Sequence, residues 1–459
     1  MKKIILLIVF AISGVNSTIA QELQPFKDGD RVAFLGNSIT HAGFYESYIW
    51  LYYMTHFPDK ELKILNAGSG GDVVGQMNAR FEEDVLRMDP NIVVLTFGMN
   101  DSGYFEFWQD DAEKTAKERV EKSRRSFDSL QQKFKNNPYI KPVIMSSSPF
   151  DETADIEGSN NFSGKSKTLE EIVAFQKKAA EENNWAFVDL YYPMQEITQR
   201  EQKNDSTYTI TGPDRIHPGK AGHLVMAALF LKRQGLAGKP VAEVLVDAKR
   251  KKIIQSRNAS SKIISASKSK IYFDYEANSL PFPIDSTSTI WNNPQKQSEA
   301  LAVYPFIKEF NQEIIKVKNL EPGNYKLVID GERIAQFSAD SLSKGINLAL
   351  LSNTPQYKQA KNVMFLNDQR AEIEGKLREY YWAQFNYFKD KDMLFEDSQK
   401  AYDIASQEKE GFIGSKMGVY RTARFPVVRE MYEENLETLT SKIYEINKPK
   451  VHRVEIIQI

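Results

Sequence analysis

Between residues 31 and 235 short apolar runs alternate with longer amphipathic ones, and this constrains the fold more than any other feature. The apolar runs are Val32–Leu35, Leu62–Leu65, Ile92–Phe97, Val143–Ser146 and Ala186–Leu190. Between and after them come the helical stretches Glu46–His56, Gly75–Met88, Ala112–Phe134, Thr168–Asn183 and Lys220–Arg233. Uninterrupted apolar runs suit strands that are buried on both faces. Strands alternating with helices of this length predict a parallel sheet covered on both sides. The expected class is α/β, a flavodoxin-like three-layer α/β/α fold.

With 459 residues the chain is too long for one ordinary core, so further domains are expected. The composition shifts after residue 238. Val241–Gln255 reads as helical, and the Ser- and Lys-rich Arg257–Lys270 reads as a linker. Residues 271–356 read as irregular and β-rich, with strands at Glu313–Val317, Tyr325–Asp330 and Arg333–Phe337. Asp330-Gly331 predicts a tight hairpin turn, because both residues accept positive φ. Residues 357–459 read as mostly helical, ending in the strand-like Val451–Ile459. The full division is 1–20, 21–238, 239–270, 271–356 and 357–459, the second segment being the catalytic domain.

Lys2 and Lys3, an apolar core from Ile4 to Ile12 and the small-residue site Thr18-Ile19-Ala20 describe a signal peptide. The expected product is an exported protein, periplasmic or extracellular, starting near Gln21. The apolar run is too short to span a bilayer, and no later segment is long and apolar enough. A formal net charge of −1 offers no basis for nucleic-acid binding. The absence of cysteine excludes a thiol nucleophile, a thiolate metal site and a disulfide framework. No metal-ligand cluster is visible, and neither a metal nor another cofactor is expected.

The chemistry-bearing residues fall just after the apolar runs, at the strand ends where open α/β sheets hold ligands. The first run leads into Gly36-Asn37-Ser38, and Ser38 is either a nucleophile or an N-cap of the next helix. The second ends in Asn66-Ala67-Gly68-Ser69-Gly70-Gly71-Asp72, a turn whose backbone N–H groups can face a ligand or merely make a tight bend. The third ends in Gly98-Met99-Asn100-Asp101; Asn100 can donate to a developing oxyanion or form an Asx-turn. A last loop holds Asp214-Arg215-Ile216-His217. Of five histidines, His217 stands on a loop at the sheet edge, with Asp214 placed to orient its ring. His41 can line the pocket, and the aromatics around Tyr104 suit stacking on a sugar ring or loop packing.

In their order and spacing these blocks resemble the SGNH (GDSL-like) hydrolase family over about residues 31–235. Gly36-Asn37-Ser38 resembles the first block, Gly71 the second, Gly98-x-Asn100-Asp101 the third and Asp214-x-x-His217 the last. The resemblance implies ester hydrolysis through an acyl-enzyme. Ser38 would be the nucleophile, His217 the base and Asp214 its partner, with the oxyanion held by Ser38, Gly71 and Asn100. Asn37, His41, Asp101 and Tyr104 are expected to touch substrate. Asn37 stands where the family usually has Asp, which implies a changed local hydrogen bond with activity retained. The expected partner is a small-molecule or polysaccharide ester, first of all an O-acetylated carbohydrate. Lipid esters are the enzymatic alternative, and a glycan-binding protein is the non-catalytic one. Residues 271–459 are expected to cap the site, bind polysaccharide or stabilise the first domain.

Overall fold

A computed structural model describes residues 21–290, 293–408 and 411–459. The signal-peptide segment lies outside the described residues. Strands β1 (Arg31–Gly36), β2 (Lys63–Gly68), β3 (Ile92–Phe97), β4 (Lys141–Ser146) and β5 (Ala186–Val188) form one sheet in the order β2-β1-β3-β4-β5. Every pairing in it is parallel. Alternate residues feed opposite cores. Val32 and Phe34 join the layer under the helices Tyr45–His56 and Lys220–Arg233. Ala33 and Leu35 face the layer under Ala112–Asn136 and Lys165–Glu182. Both sides of β1 are therefore dry, which is why its sequence runs apolar without alternation. The chain reverses direction across the sheet between β1 and β3, and there the carboxyl ends of the two strands open a crevice.

Every residue of the Tyr45–His56 helix is buried, including Glu46. One side lies on the sheet. The other is covered by the helix Pro355–Ala383, whose Asn367 Nδ2 reaches Ser47 Oγ at 2.8 Å and whose Arg370 guanidinium sits 4.3 Å from the centre of the Trp50 ring.

The segment after residue 238 departs from the expected helix and linker. Residues 242–277 form four strands: β6 (Ala242–Asp247), β7 (Lys252–Arg257), β8 (Ala259–Ala266) and β9 (Lys270–Ala277). The later strands are β10 (Glu313–Lys318), β11 (Asn324–Ile329), β12 (Glu332–Ser338), β13 (Ile346–Asn347) and β14 (His452–Gln458). They make two sheets, β13-β10-β6-β7 and β12-β11-β14-β9-β8, that share one apolar core. β7 and β8 are edge strands with mostly exposed side chains, and Lys and Ser are common on such edges. Their composition therefore imitates a linker. The β11–β12 hairpin turns at Asp330 and Gly331, with φ of 51° and 82°.

The helices Pro355–Ala383, Gln399–Gln407, Ile413–Ala423 and Pro426–Ile446 pack together around Tyr380, Phe388 and Tyr420. No helix among the described residues is long and apolar enough to cross a membrane.

Candidate active site

The turn after β1 carries Ser38. Asn37 Oδ1 accepts the Ile39 N–H at 3.0 Å and so caps the short helix Ser38–His41. The turn presses onto the end of β2 so closely that a Cβ on Gly68 would stand 2.2 Å from the His41 nitrogen. Ser38 Oγ lies 2.8 Å from His217 Nε2, and His217 Nδ1 lies 2.6 Å from Asp214 Oδ2. The other Asp214 oxygen accepts the N–H groups of Ile216 at 3.0 Å and His217 at 2.9 Å. Burial works to raise the Asp214 carboxyl, but its bonds to the His217 ring and to these N–H groups outweigh that and hold it below the usual carboxylate range. A carboxylate accepting at Nδ1–H leaves Nε2 as an acceptor for the Ser38 hydroxyl.

Two sets of donors face the same strand ends. Among the described residues the backbone N–H groups of Ser38 and Gly71 donate to no protein acceptor. Gly71 adopts φ +87°, a conformation open to glycine at no steric cost. Asn100 Nδ2 donates one hydrogen to the Asp72 carbonyl at 2.9 Å, and its Oδ1 accepts the Tyr104 hydroxyl at 2.6 Å. The amide is thereby oriented, and its second N–H is available.

Four residues expected to touch substrate each make contacts within the protein. Asn37 is buried as the cap just described. Asp101 is fully enclosed and accepts from Val74 N, Gly98 N and Ser123 Oγ at 2.9–3.1 Å, so it shapes the loop after β3. Tyr104 holds the Asn100 amide through its hydroxyl. His41 Nδ1 accepts the Gly70 N–H at 3.1 Å, and its Nε2 lies 3.4 Å from Glu379 Oε1. Asn37, Asp101 and His41 each accept from a backbone N–H that burial would otherwise leave unpaired, whereas Tyr104 binds a side-chain amide.

Other contributors carried no sequence signal. Lys165 is buried, and its ammonium donates to Met99 O, Ser102 Oγ and Gly103 O at 2.5–2.6 Å, which folds the loop carrying Asn100. Asn293 Nδ2 donates to the His217 carbonyl at 3.2 Å. Asp72 and Asp84 are buried beside Arg80, which binds both and also donates to the Gly36 and Ala67 carbonyls at the strand ends. Arg378, from the helical region, reaches both oxygens of Asp84 at 2.8 Å. Burial works to raise the Asp84 carboxyl, but Arg378 and Arg80 hold it far below the ordinary range. His223, on the helix after His217, is packed between Phe44 and Tyr45, and burial pushes its ring down to about 3. Among the described residues no group of three or more His, Cys, Asp or Glu is arranged to hold a metal ion.

Residues 34–225 match the model of the GDSL-like lipase/acylhydrolase family, and residues 361–448 match the diltiazem deacetylase C-terminal helical domain. The solved structure of a gut microbial diltiazem-metabolizing enzyme is 41% identical, covers 96% of this chain and 100% of its own, and superposes with a TM-score of 0.93. This chain belongs to the SGNH (GDSL-like) hydrolase family. It is an esterase or acylhydrolase of that type. An acetylxylan esterase of Geobacillus stearothermophilus is 27% identical over 225 residues, which are 45% of this hydrolase and 94% of that enzyme. The second match therefore concerns the α/β domain, whereas the first spans the β-sandwich and the helical region as well.

Proposed function

We propose that this hydrolase removes acetyl groups from O-acetylated alcohols, with Ser38 as nucleophile, and that acetylated carbohydrate is the substrate class it serves. The observation that carries the reading is the unbroken relay from Ser38 Oγ to His217 Nε2 at 2.8 Å and from His217 Nδ1 to Asp214 at 2.6 Å. In this mechanism Ser38 Oγ attacks the ester carbonyl while His217 Nε2 takes its proton. Asp214 holds the ring and stabilises the imidazolium. The N–H groups of Ser38 and Gly71 and the Asn100 amide receive the developing oxyanion. His217 then returns the proton to the departing alkoxide, leaving an acetyl-Ser38 ester. A water molecule deprotonated by His217 releases acetate and restores the serine.

The acyl group is better supported than the alcohol. One relative is named an acetylxylan esterase and another a diltiazem-metabolizing enzyme, and residues 361–448 match a helical domain named for diltiazem deacetylase, so the names share the acetyl ester and differ in the alcohol. For the alcohol, Phe105 and Trp108 are 60% and 55% exposed on the loops beyond Asn100, Trp108 stacking on Phe162 and Phe105 meeting it edge-on. Such a shelf suits the apolar face of a sugar ring. It also suits an aromatic acetyl ester, and the 41% identity to the diltiazem-metabolizing enzyme supports that as the second reading. Export through the basic and apolar N-terminus would bring the enzyme to polysaccharide outside the cytoplasm.

The test is hydrolysis of p-nitrophenyl esters from acetate to octanoate, for wild type and Ser38→Ala, followed by acetylated xylo-oligosaccharide and diltiazem. Acetate preference that vanishes in Ser38→Ala is the expected result. Preference for long chains would replace the deacetylase reading with a lipid one, and activity retained in Ser38→Ala would remove the serine mechanism.

A further inference from the structure

The Gly68–Asp72 turn is held from outside the α/β domain by one face of the Pro355–Ala383 helix and its π-helical continuation Gln384–Phe388. Arg378 Nε donates to the Gly68 carbonyl at 3.1 Å. Glu379 supports His41, which accepts the Gly70 N–H. Trp382 Nε1 donates to the Gly70 carbonyl at 2.7 Å. Asn386 Nδ2 donates to Asp72 Oδ1 at 2.9 Å. Residues 378, 382 and 386 are four apart and share a helix face. The wider π turn offsets the drift that a pure α-helix would accumulate over that span.

The turn needs such support. Gly70 and Gly71 have no side chains to restrict them, so they are the least self-determined backbone in the site. The Gly70 carbonyl and the Gly71 N–H belong to one planar trans peptide and point in opposite directions. A donor fixed on the carbonyl therefore fixes where the N–H points. Hydrogen bonds in series also polarise one another, so the same contact strengthens Gly71 as a donor. Asp72, held by Asn386, presents the carbonyl that orients the Asn100 amide.

We propose that Trp382 and Asn386 are positioning residues for the oxyanion donors: Trp382 aims the Gly71 N–H and Asn386 aims the Asn100 amide. The helical region thus completes the oxyanion site rather than covering it. This rests on the reading of Ser38 as the nucleophile.

The experiment compares wild type, Trp382→Phe and Asn386→Ala on p-nitrophenyl acetate and on the matching thionoester, with Ser38→Ala in parallel. A thiocarbonyl sulfur is larger and accepts N–H bonds weakly, so its hydrolysis draws little on the oxyanion donors. Trp382→Phe keeps an aromatic side chain but loses the indole N–H and part of the buried ring volume, so its unfolding midpoint is measured alongside. It is expected to lower kcat on the oxygen ester about tenfold, part of the 10²–10³ lost with a whole donor. KM should stay within about twofold, the ester-to-thionoester ratio should fall about as far as kcat, and the pH profile should be unchanged, because the Ser38–His217–Asp214 relay is intact. Asn386→Ala alters a half-buried side chain and is expected to move the same ratio in the same direction, which covers the case in which Trp382→Phe fails to unfold cooperatively. Wild-type kcat in a folded variant would overturn the proposal, as would an equal loss on both esters. If Ser38→Ala keeps its activity, the serine reading fails. If Ser38→Ala is inactive while Trp382→Phe is fully active, only the positioning role fails.

Discussion

The helical region and the β-sandwich both adjoin the α/β domain, but they meet different parts of it. The helices reach the polar strand ends with side-chain donors: Arg378 on Asp84 and on the Gly68 carbonyl, Trp382 on Gly70, Asn386 on Asp72. The residues leading between β9 and β10 meet the far end of the Tyr45–His56 helix. There Ser279 Oγ donates to the His56 carbonyl and Leu280 N–H to the Thr55 carbonyl, each at 2.8 Å, and the His56 ring contacts the Phe310 carbonyl at the same distance. One attachment is built on the Gly68–Asp72 turn beside Ser38, the other on capping a helix. Where an added region places its donors says more about its role than how large it is.

Substitutions can break that contrast. The largest effect is expected at Arg378→Met, which leaves the buried Asp84 short of a cation. Removing one partner of a buried pair costs about 3–5 kcal/mol, read by chemical denaturation, and activity should fall with it. Unchanged stability would show that Arg80 alone satisfies Asp84. Next is Asn100→Ala, expected to lower kcat about 10²–10³-fold, or about 3 kcal/mol, with little change in unfolding midpoint. A loss of KM alone would move Asn100 from the oxyanion to ground-state binding.

The sandwich is expected to respond to pH instead. Glu313 is buried on β10, with Tyr275 and Gln356 donating to one oxygen, and burial pushes its carboxyl up to about 7. The folded state therefore holds this proton more tightly than the unfolded chain does. Its contribution to stability is full below about 4.5 and is lost as pH rises through about 7. Glu313→Gln should flatten that decline, which is on the order of 1–3 kcal/mol, and leave kcat unchanged; a changed kcat would join the sandwich to the chemistry. The smallest effect is expected at Lys358→Ala, which removes an exposed pair with Glu332 between the helices and β12. About 0–1 kcal/mol and an unaltered kcat are expected, and a larger loss in salt-dependent denaturation would expose a coupling across that surface.

The α/β domain was legible because its strands are dry on both faces and its motifs follow them directly. The relay could be read from Ser38 and Asp214-x-x-His217 because local turns bring each to the same sheet edge. Pattern does not decide between two uses of one side chain. Asp101 and His41 stand near Asn100 and Ser38, and they accept from the Val74, Gly98 and Gly70 backbone N–H groups. It failed at β7 and β8, whose outward Lys and Ser read as linker, and at Val241–Gln255, where two strands read as one helix. The Arg378–Asp84 contact spans 294 positions, and no local periodicity announces such a pair.

The place of β14 between β9 and β11 has a mechanical consequence. The chain leaves the sandwich after β13 in one sheet, runs through the helices from Pro355 to Ile446 and comes back as β14 in the other. The helical region is thus an insertion tethered at both ends to a rigid frame, not an appendage on a single hinge. Swinging it away from the Gly68–Asp72 turn would mean pulling a central strand out of a five-stranded sheet. The sandwich serves as the mount that keeps the helical clamp in register with that turn.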